Sequence, residues 1–329
     1  MKNILVTGGA GYIGSHTVKE LLRQGYNPIT FDNLKKGHHQ AVLGGFFIKG
    51  DLSDKKKIDK VFKKYKPEAV IHFAAQSLVD ESEKKPDMYF RENVSLGLNL
   101  LKTMVNHSVL KIVFSSTAAV YGEPKKMPIL ESFPLKPVNV YGLTKVLFEQ
   151  ILKIYAKNTG LKYISLRYFN AAGADLEGNL GEEHKPETHL IPRILKVVAS
   201  GKGKVNIYGT DYQTPDGTCI RDYIHVVDLA QAHILALKYL EQKNKSQIFN
   251  LGNEKGNSVL EVIGVVKRIT GIDFKVLKSK RRIGDPARLV ASSKKIKKEL
   301  GWKPKLSNPE TIIQTAWNWH RTHPQGYKK

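Results

Sequence analysis

A glycine-rich loop near the start of the chain is the sequence feature that most constrains the fold. It reads Val6-Thr7-Gly8-Gly9-Ala10-Gly11-Tyr12-Ile13-Gly14, and it follows an apolar run and opens a helical pattern. It matches G-x-x-G-x-x-G from Gly8 and G-x-G-x-x-G from Gly9. Such glycines permit a tight turn and a close backbone approach to a pyrophosphate, which lies on the helix N-terminus. Glycines also mark plain turns, so the strand–turn–helix context carries the prediction of a dinucleotide-binding α/β fold.

The first half of the chain alternates predicted strands and helices. Hydrophobic patterns predict strands at 3–7, 28–32, 46–49, 69–73, 110–114 and 162–167, and helices at 12–24, 55–66, 87–106 and 138–158. This alternation predicts a Rossmann-type, doubly wound parallel sheet. Beyond residue 169 the pattern loosens into a loop over 170–186 and shorter elements, with helices predicted at 189–199, 228–240, 258–270 and 309–319.

This change of pattern predicts two domains. We expect a dinucleotide-binding domain over 1–169 and a smaller mixed α/β substrate domain over 170–329, with some of its segments returning to the first domain. The cleft between them is the expected active site.

An acidic residue ends the second predicted strand. Asp32 lies eighteen residues beyond Gly14. A carboxylate at this point binds the hydroxyls of the adenosine ribose and repels a 2′-phosphate, which favours NAD over NADP. The alternative is that Asp32 caps the following turn, through Asn33 and Gly37.

Two further strand ends carry candidate cofactor contacts. Asp51-Leu52 follows the third strand, where the pair suits contact with an adenine or, for Asp51, the cap of the next helix. Phe73-Ala74-Ala75 ends the fourth strand with small residues. These suit either a backbone wall against a cofactor or close packing of a helix on the sheet.

A tyrosine and a lysine lie four residues apart in the pentapeptide Tyr141-Gly142-Leu143-Thr144-Lys145. On a helix they share one face, which places an ammonium group beside a phenol. A nearby cation lowers the pKa of a phenol and makes proton transfer possible near neutrality. Alone, the pair also fits a solvated helix face. The glycine loop and Ser115-Ser116-Thr117 upstream make the catalytic interpretation much more specific.

The charge of the chain leaves two classes of partner to consider. There are 53 Lys and Arg against 30 Asp and Glu, a formal net charge of +23. The lysines are spread along the whole chain, and the densest run, 55–66, is the outer face of an amphipathic helix. No RNP, zinc-finger or helix-turn-helix signature accompanies them, so we expect no specific nucleic-acid partner. A positive field favours an anionic sugar nucleotide as ligand.

Cysteine content and hydropathy indicate the kind of cellular compartment in which the protein works. The single cysteine, Cys219, excludes a disulfide within the chain, and no Cys/His cluster has zinc spacing, so we expect no metal. This usage is typical of a reducing compartment, and we expect a cytoplasmic protein. The first apolar run is too short for a signal peptide, and no run approaches the ~20 residues of a membrane span.

Together these motifs resemble the extended short-chain dehydrogenase/reductase superfamily and, within it, the UDP-glucose 4-epimerases (UDP-galactose 4-epimerases). The resemblance covers essentially the whole chain. The segments that carry it lie at 7–16, 31–34, 114–122, 141–145, 166–170, 216–226, 281–285 and 300–304.

The resemblance implies reversible 4-epimerisation of UDP-glucose and UDP-galactose through a 4-keto intermediate with bound NAD. Tyr141 is then the catalytic base and acid, Lys145 binds the nicotinamide ribose and lowers the pKa of Tyr141, and Thr117 bonds the reacting 4-hydroxyl. Implied cofactor contacts are Gly8, Gly11, Tyr12, Ile13, Gly14, Asp32, Asn33, Asp51, Leu52, Phe73, Ala74, Ala75, Asn93, Tyr141, Lys145 and Tyr168. Implied substrate contacts are Thr117, Asn170, His189, Leu190, Tyr208, Arg221, Arg282 and Asp285.

Several of these residues have simpler interpretations. Arg221 and Arg282 suit the phosphates of a diphosphate, but they could also be surface charges paired with Asp222 and Asp285. Ser115 and Ser116 are expected to be structural, as are His225 and His233, which suit packing or capping. Asp228 is expected to be the N-cap of its helix.

Rival functions remain open on the same scaffold. A nucleotide-sugar 4,6-dehydratase usually has an Asp-Glu pair directly after the Ser/Thr, whereas this chain has Ala118-Ala119. Epimerisation of UDP-N-acetylglucosamine or UDP-glucuronate is a closer rival. Leu289 stands where some members carry a bulky tyrosine, so we expect tolerance of N-acetylated sugars. A non-catalytic NAD-binding regulator or RNA-binding scaffold is the rival from another class.

The resemblance also implies a homodimer. In the family expectation, helices 87–106 and 138–158 of two chains form a four-helix interface.

Overall fold

The computed structural model describes residues 1–281 and 285–327. Its strands are β1 (Asn3–Thr7), β2 (Asn27–Asp32), β3 (Phe46–Lys49), β4 (Ala69–His72), β5 (Lys111–Ser115), β6 (Lys162–Tyr168), β7 (Asn170–Ala172), β8 (Val205–Tyr208), β9 (Ile220–Arg221), β10 (Tyr223–His225), β11 (Gln247–Leu251), β12 (Asn257–Ser258), β13 (Val276–Ser279) and β14 (Arg288–Leu289).

Helices connect most of these strands. They are α1 (Tyr12–Arg23), α2 (Lys55–Tyr65), α3 (Val79–Lys84), α4 (Pro86–Phe90), α5 (Leu96–Asn106), α6 (Val140–Thr159), α7 (Leu190–Ser200), α8 (Val226–Lys243), α9 (Val259–Thr270), α10 (Lys294–Leu300) and α11 (Pro309–Thr322). A π-helical turn, Arg91–Ser95, joins α4 to α5, so the helix predicted at 87–106 is one helical stretch. Short 3₁₀ turns lie at His39–Ala41 and Ala118–Tyr121.

Seven parallel strands form the central sheet, in the order β11-β6-β5-β4-β1-β2-β3. The strand order reverses beside β1, which is the topological switch point where doubly wound folds bind ligands. The predicted α/β class with a doubly wound parallel sheet is confirmed.

Both faces of this sheet are buried because alternate strand residues face opposite helical layers. Ile4 and Val6 of β1 join a core with α1 and α8, whereas Leu5 faces a core formed with α2, α5 and α6. Parallel sheets covered on both sides carry such continuous apolar strands. No described helix combines the length and hydropathy that a membrane crossing requires.

The lysine-rich helix α2 illustrates how local sequence positions an element. Ile58, Val61 and Phe62 are buried against the sheet, while the lysines lie on the outer face. The Asp54 side chain caps the helix by accepting a hydrogen bond from the backbone N–H of Lys57. The amphipathic pattern predicted for this segment is confirmed.

The second half of the chain builds a separate apolar core and also adds elements to the central sheet and its helical layer. It forms small sheets, β10-β7, β12-β9-β14 and β13-β8, over a core built by α7, α9 and α11. It also returns to the first half, since β11 pairs with β6 and α8 packs against α1. The sequence pattern does not single out β11, and it treats Asn170–Ala172 as loop although these residues form β7.

Two buried polar residues near α8 differ in how well sequence predicts them. His225, expected to pack or cap, accepts a hydrogen bond from the backbone N–H of Val227 and so caps α8. Asp228 looks like a helix cap in the sequence, but that interpretation is wrong. Its carboxylate instead accepts hydrogen bonds from the backbone of Lys305 and Leu306.

Candidate active site

A cavity of about 620 Å³ lies along the carboxyl ends of the central strands and reaches residues of the second half of the chain. Most of the residues predicted for the site line it: Gly8, Gly11, Tyr12, Ile13, Gly14, Asp32, Asn33, Asp51, Leu52, Phe73, Ala74, Ala75, Thr117, Tyr141, Lys145, Tyr168, Asn170, His189, Leu190, Arg221 and Asp285. Asn93 and Tyr208 do not line it, and Arg282 lies outside the described residues.

Three of the four glycines in the loop, Gly8, Gly11 and Gly14, are needed for different reasons. Gly8 has φ +74°, and a Cβ there would lie 2.6 Å from the backbone nitrogen of Ala74. A Cβ on Gly14 would lie 2.2 Å from the carbonyl oxygen of Gly8. A Cβ on Gly11, by contrast, would meet only the Gly8 carbonyl oxygen, at 3.4 Å, and would otherwise enter the cavity. Gly11 therefore keeps space for a ligand at the N-terminus of α1, as a pyrophosphate requires.

Asp32 combines the two roles that its position suggests. Its carboxylate accepts hydrogen bonds from the backbone N–H of Ala10 at 3.0 Å and of Leu34 at 2.8 Å, and so caps the turn after β2. The same side chain lines the cavity. Burial raises the pKa of Asp32, and the two backbone hydrogen bonds oppose that shift. Asp32 is thus held in a fixed orientation at the edge where a ribose would lie.

Asn33 and Asp51 are joined beside Asp32. The Asn33 amide and the Lys35 ammonium donate to one Asp51 oxygen, at 2.8 and 3.2 Å, and Ser53 donates to the other. Burial opposes ionisation of Asp51, but these hydrogen bonds outweigh it and hold its pKa well below the usual range. This end of the cavity therefore carries a permanent carboxylate.

The Tyr141–Lys145 pair lies at the start of α6, against the end of β5. The Asn139 side chain caps this helix by accepting from the backbone N–H of Gly142 at 2.8 Å. One turn on, the Lys145 ammonium donates to the carbonyl oxygen of Ser115 at 2.9 Å and lies 5.8 Å from the centre of the Tyr141 ring. The cap and the strand end thus place both side chains in the cavity.

Thr117 completes a group of three polar side chains. It follows β5 directly, lines the cavity and lies near enough to the Tyr141 phenol to lower the pKa of that group. A phenol, a hydroxyl and an ammonium at one point can bind a substrate hydroxyl and move its proton.

The pKa values differ from the sequence expectation. Burial raises the pKa of Tyr141, and the hydrogen bond with Thr117 only partly offsets it. Burial also lowers the pKa of Lys145 to about 7, with Glu149 opposing that shift. The lowered pKa predicted for Tyr141 is therefore not found in the protein alone, because burial of the phenol outweighs the effect of Thr117. A further positive charge near Tyr141 would be needed to favour the phenolate.

The two serines at the end of β5, Ser115 and Ser116, hydrogen-bond side chains that adjoin the site. Ser116 is buried and donates to Glu149 at 2.7 Å, so it is structural as expected. Ser115 shares a short hydrogen bond with the Tyr168 hydroxyl, and both side chains line the cavity.

Asn93 supports the cavity instead of lining it. Its side chain accepts from the backbone N–H of Gln76 at 2.7 Å and donates to Gln76 and to Thr144, each at 3.0 Å. It thereby ties the loop after β4 to α6. The direct ligand contact expected for Asn93 stays a prediction, and in this structure its amide is engaged by Gln76 and Thr144.

Arg221, which the resemblance places at the phosphates of the substrate, is paired with a carboxylate in this structure. Arg221 forms an ion pair with Asp285, and both line the cavity, with side chains 13% and 24% exposed. Asp222 does not pair with Arg221. It is fully buried and accepts from the backbone of Asn253 and Ala291, and burial raises its pKa to about 6. Asn170, nearby, donates to the carbonyl oxygen of Asp222 at 3.1 Å.

Sequence reasoning missed two titratable cavity residues in the segment before α7. Glu182 and His184 line the cavity beside His189. Their signal is an alternation of acidic residues and histidines over 182–189, which a search for Cys/His spacing does not detect. Tyr208 ends β8, away from this wall.

Comparison with known proteins agrees with this geometry. Residues 4–252 match the family model "NAD dependent epimerase/dehydratase family". The chain is 53% identical to the UDP-glucose 4-epimerase of Halalkalibacterium halodurans, over 98% of this chain and 97% of that protein.

Two solved structures extend the comparison. The UDP-glucose 4-epimerase from Bifidobacterium longum, in complex with NAD+ and UDP, is 39% identical with a TM-score of 0.93, covering 99% of this chain and 100% of that chain. The UDP-Glc/GlcNAc 4-epimerase from Campylobacter jejuni is 40% identical with a TM-score of 0.85, covering 98% and 100%. The resemblance inferred from the motifs is confirmed. The chain belongs to the NAD dependent epimerase/dehydratase family, among the UDP-glucose 4-epimerases.

Proposed function

We propose that this protein interconverts UDP-glucose and UDP-galactose by inverting C4 through a 4-keto sugar, with NAD as its cofactor. The observation that carries the proposal is that Thr117, Tyr141 and Lys145 lie in the same cavity as the glycine loop and Asp32. Proton-transfer groups and a dinucleotide cradle in one cavity suit oxidation of a hydroxyl and its reversal.

The residues present fit NAD. The space kept by Gly11 at the N-terminus of α1 suits the pyrophosphate, and the fixed carboxylate of Asp32 suits the adenosine ribose. Lys145 and Tyr168 would contact the nicotinamide end, and Phe73 the opposite wall. When bound, oxidised NAD supplies a hydride acceptor and a positive charge.

Tyr141 performs the proton transfer in this proposal. Its phenolate takes the proton of the sugar 4-hydroxyl during oxidation, and its hydroxyl returns a proton after the 4-keto sugar has turned over in the cavity. Thr117 holds the 4-oxygen, and protonated Lys145 lowers the pKa of Tyr141 together with any other positive charge nearby. The reaction is redox-neutral overall, so no external reductant is consumed.

The nucleotide end of the substrate suits the second half of the chain. Arg221 presents a guanidinium to the cavity, and guanidinium groups bind phosphate oxygens well. On substrate binding, the ion pair between Asp285 and Arg221 would weaken, and Asp285 would accept a hydrogen bond from the uridine ribose. Asn170, His189 and Leu190 form the adjoining wall.

Incubating the purified protein with UDP-galactose, without added reductant, tests this proposal. We expect UDP-glucose to form until the two sugars reach equilibrium. A 4-keto-6-deoxy product would instead indicate a dehydratase. No turnover combined with tight RNA binding would indicate a scaffold.

We also propose that the enzyme accepts N-acetylated sugars. Leu289 lines the cavity and packs against the apolar cluster that contains Val120 and Tyr121. A leucine leaves more room than a tyrosine beside the sugar. We expect turnover of UDP-N-acetylglucosamine above one-thousandth of that of UDP-glucose. Leu289→Tyr should lower the N-acetyl activity roughly 10-fold or more while retaining UDP-galactose turnover, and a lower activity in the unmodified enzyme would reject the proposal.

For the domains, we propose dinucleotide binding by 1–169 and sugar-nucleotide binding by 170–329. The pairing of β11 with β6 supports a return of part of the second segment to the first. We also propose a reducing, cytoplasmic setting, because a chain whose single cysteine is Cys219 holds no internal disulfide.

For the assembly, we propose a homodimer in which α6 of each chain contributes to the interface. Leu143, Leu147 and Ile154 are 38%, 37% and 58% exposed and lie on one side of this helix. Exposed apolar side chains grouped in this way often mark a protein interface.

Light scattering after gel filtration tests the dimer. We expect twice the chain mass for the natural protein and a shift towards the single chain for Leu147→Glu, since a buried unpaired carboxylate is costly. Leu176→Glu is the matched control, because Leu176 is 57% exposed in a loop outside α6. A single-chain mass for the natural protein, or equal behaviour of the two variants, would contradict this interface.

A further inference from the structure

A cluster of two carboxylates and two histidines lies in the segment between β7 and α7. Glu182, His184, Glu187 and His189 each offer one oxygen or nitrogen atom, and these atoms all lie within 4.8 Å of one another. Three of the four side chains also line the active-site cavity. The mechanism proposed above uses none of the four as proton donor or acceptor.

The spacing of these atoms matches the coordination shell of a metal ion. The Nδ1 atoms of His189 and His184 lie 2.6 and 3.2 Å from the same Glu182 oxygen, Oε1. They approach different oxygens of Glu187, His189 at 3.4 Å from Oε1 and His184 at 3.6 Å from Oε2. Ligands at the distances usual for zinc, ~2.0–2.1 Å, stand about 3.3 Å apart in a tetrahedron. The four observed separations scatter around that edge length.

Burial and unmet hydrogen bonds point to a cation at the same place. The Glu182 and Glu187 side chains are 6% and 5% exposed. Within the described part of the chain, the His184 Nδ1 atom and one Glu187 oxygen are buried without a hydrogen-bond partner. The Lys196 ammonium lies 3.9 Å from that Glu187 oxygen, beyond hydrogen-bond distance. A single divalent ion among the four side chains would balance both carboxylates while the histidines stay neutral.

The competing arrangement is a pair of protonated histidines. Burial opposes protonation, but Glu182 and Glu187 raise the pKa of His184 to about 9 and that of His189 to about 10. Such an arrangement leaves two like charges side by side, with ring centres 5.3 Å apart. A metal removes this repulsion.

We propose that Glu182, His184, Glu187 and His189 bind one Zn²⁺ ion. All four tetrahedral positions are then filled by protein, which is typical of a structural site. The ion would fasten the segment 182–189 to the cavity wall. The ring of His184 meets Tyr12 of the dinucleotide loop edge-on at 6.5 Å, and the Tyr12 hydroxyl donates to Gly173 at 2.6 Å. The zinc site would thus stabilise the position of the dinucleotide loop through the contact of His184 with Tyr12.

Metal analysis and thermal unfolding of the full-length protein test the site. We expect about one zinc per chain after purification without a metal-affinity step. In protein stripped with a chelator, added Zn²⁺ should raise the midpoint of unfolding by about 5 °C at saturation. The gain should be absent in His184→Gln and retained in His39→Gln, a matched change at an exposed histidine.

His189→Cys separates the two arrangements. A thiolate is a zinc ligand but cannot serve as the cationic partner of Glu182. If zinc is bound, this variant should keep about one zinc per chain and its zinc-dependent midpoint shift. If protonated histidines form the cluster, Zn²⁺ will leave the midpoint of the natural protein unchanged and His189→Cys will be destabilised regardless of metal. That result would overturn the proposal. Competition of stripped natural protein with a coloured chelator gives the affinity without any variant.

Discussion

Tyr141→Phe is expected to lower kcat for UDP-galactose by about 10²–10⁴-fold, the range over which a positioned acid–base group contributes. The phenol of Tyr141 lines the cavity with Thr117 and lies beside Lys145. Its ring would stay in place, so the glycine loop and Asp32 should bind NAD as before. Steady-state kinetics and the NAD content of the purified variant measure the two effects separately.

Tyr155→Phe is the matched control for this prediction. Tyr155 lies on the same helix, α6, but it is partly buried against the apolar core on that face of the sheet and does not line the cavity. Its variant should retain near-normal kcat. If Tyr141→Phe also turned over at close to the normal rate, the assignment of Tyr141 as the acid–base group would be wrong.

Arg167→Met is expected to lower the free energy of unfolding by about 3–5 kcal/mol, because it leaves a buried carboxylate without its partner. The Arg167 and Glu149 side chains are 2% and 0% exposed. Arg167 donates to Glu149 at 2.9 Å and to the Tyr121 hydroxyl at 2.8 Å, and Ser116 donates to the same carboxylate. Chemical denaturation monitored by circular dichroism measures the loss.

The double variant Arg167→Met with Glu149→Leu distinguishes a buried-charge penalty from lost packing. Removing both charges should recover much of the stability lost in the single variant, since a well-packed apolar pair often replaces a buried ion pair without cost. Equal instability of the single and double variants would show that the arginine acts mainly through its packing. Activity is not a suitable readout, because Glu149 also influences the pKa of Lys145.

The parts of this molecule that sequence predicts are those specified by neighbouring residues. The strand–glycine–helix unit at Gly8 to Gly14 is a local motif, and so is the one-turn spacing of Tyr141 and Lys145. Amphipathic periodicity predicts α2 to within a residue. In each case the information lies within about two helical turns of chain.

The parts that sequence does not predict depend on distant contacts. β11 is a short apolar run whose membership of the central sheet depends on its pairing with β6. Asn93 lies outside the cavity lining, and its amide is held by Gln76 and Thr144, which are distant in the sequence. The raised pKa of Tyr141 results from burial, which spacing along a helix does not reveal.

The pairing of β6 with β11 has a consequence for synthesis of the chain on the ribosome. β6 is complete at Tyr168, but its free edge is covered only when Gln247–Leu251 has emerged. At a synthesis rate of ~5–20 residues per second, that edge stays open for several seconds. An uncovered strand edge is a template for pairing with other chains. The nascent protein therefore passes through an interval in which chaperone capture competes with aggregation, even though its nucleotide-loop half is already made.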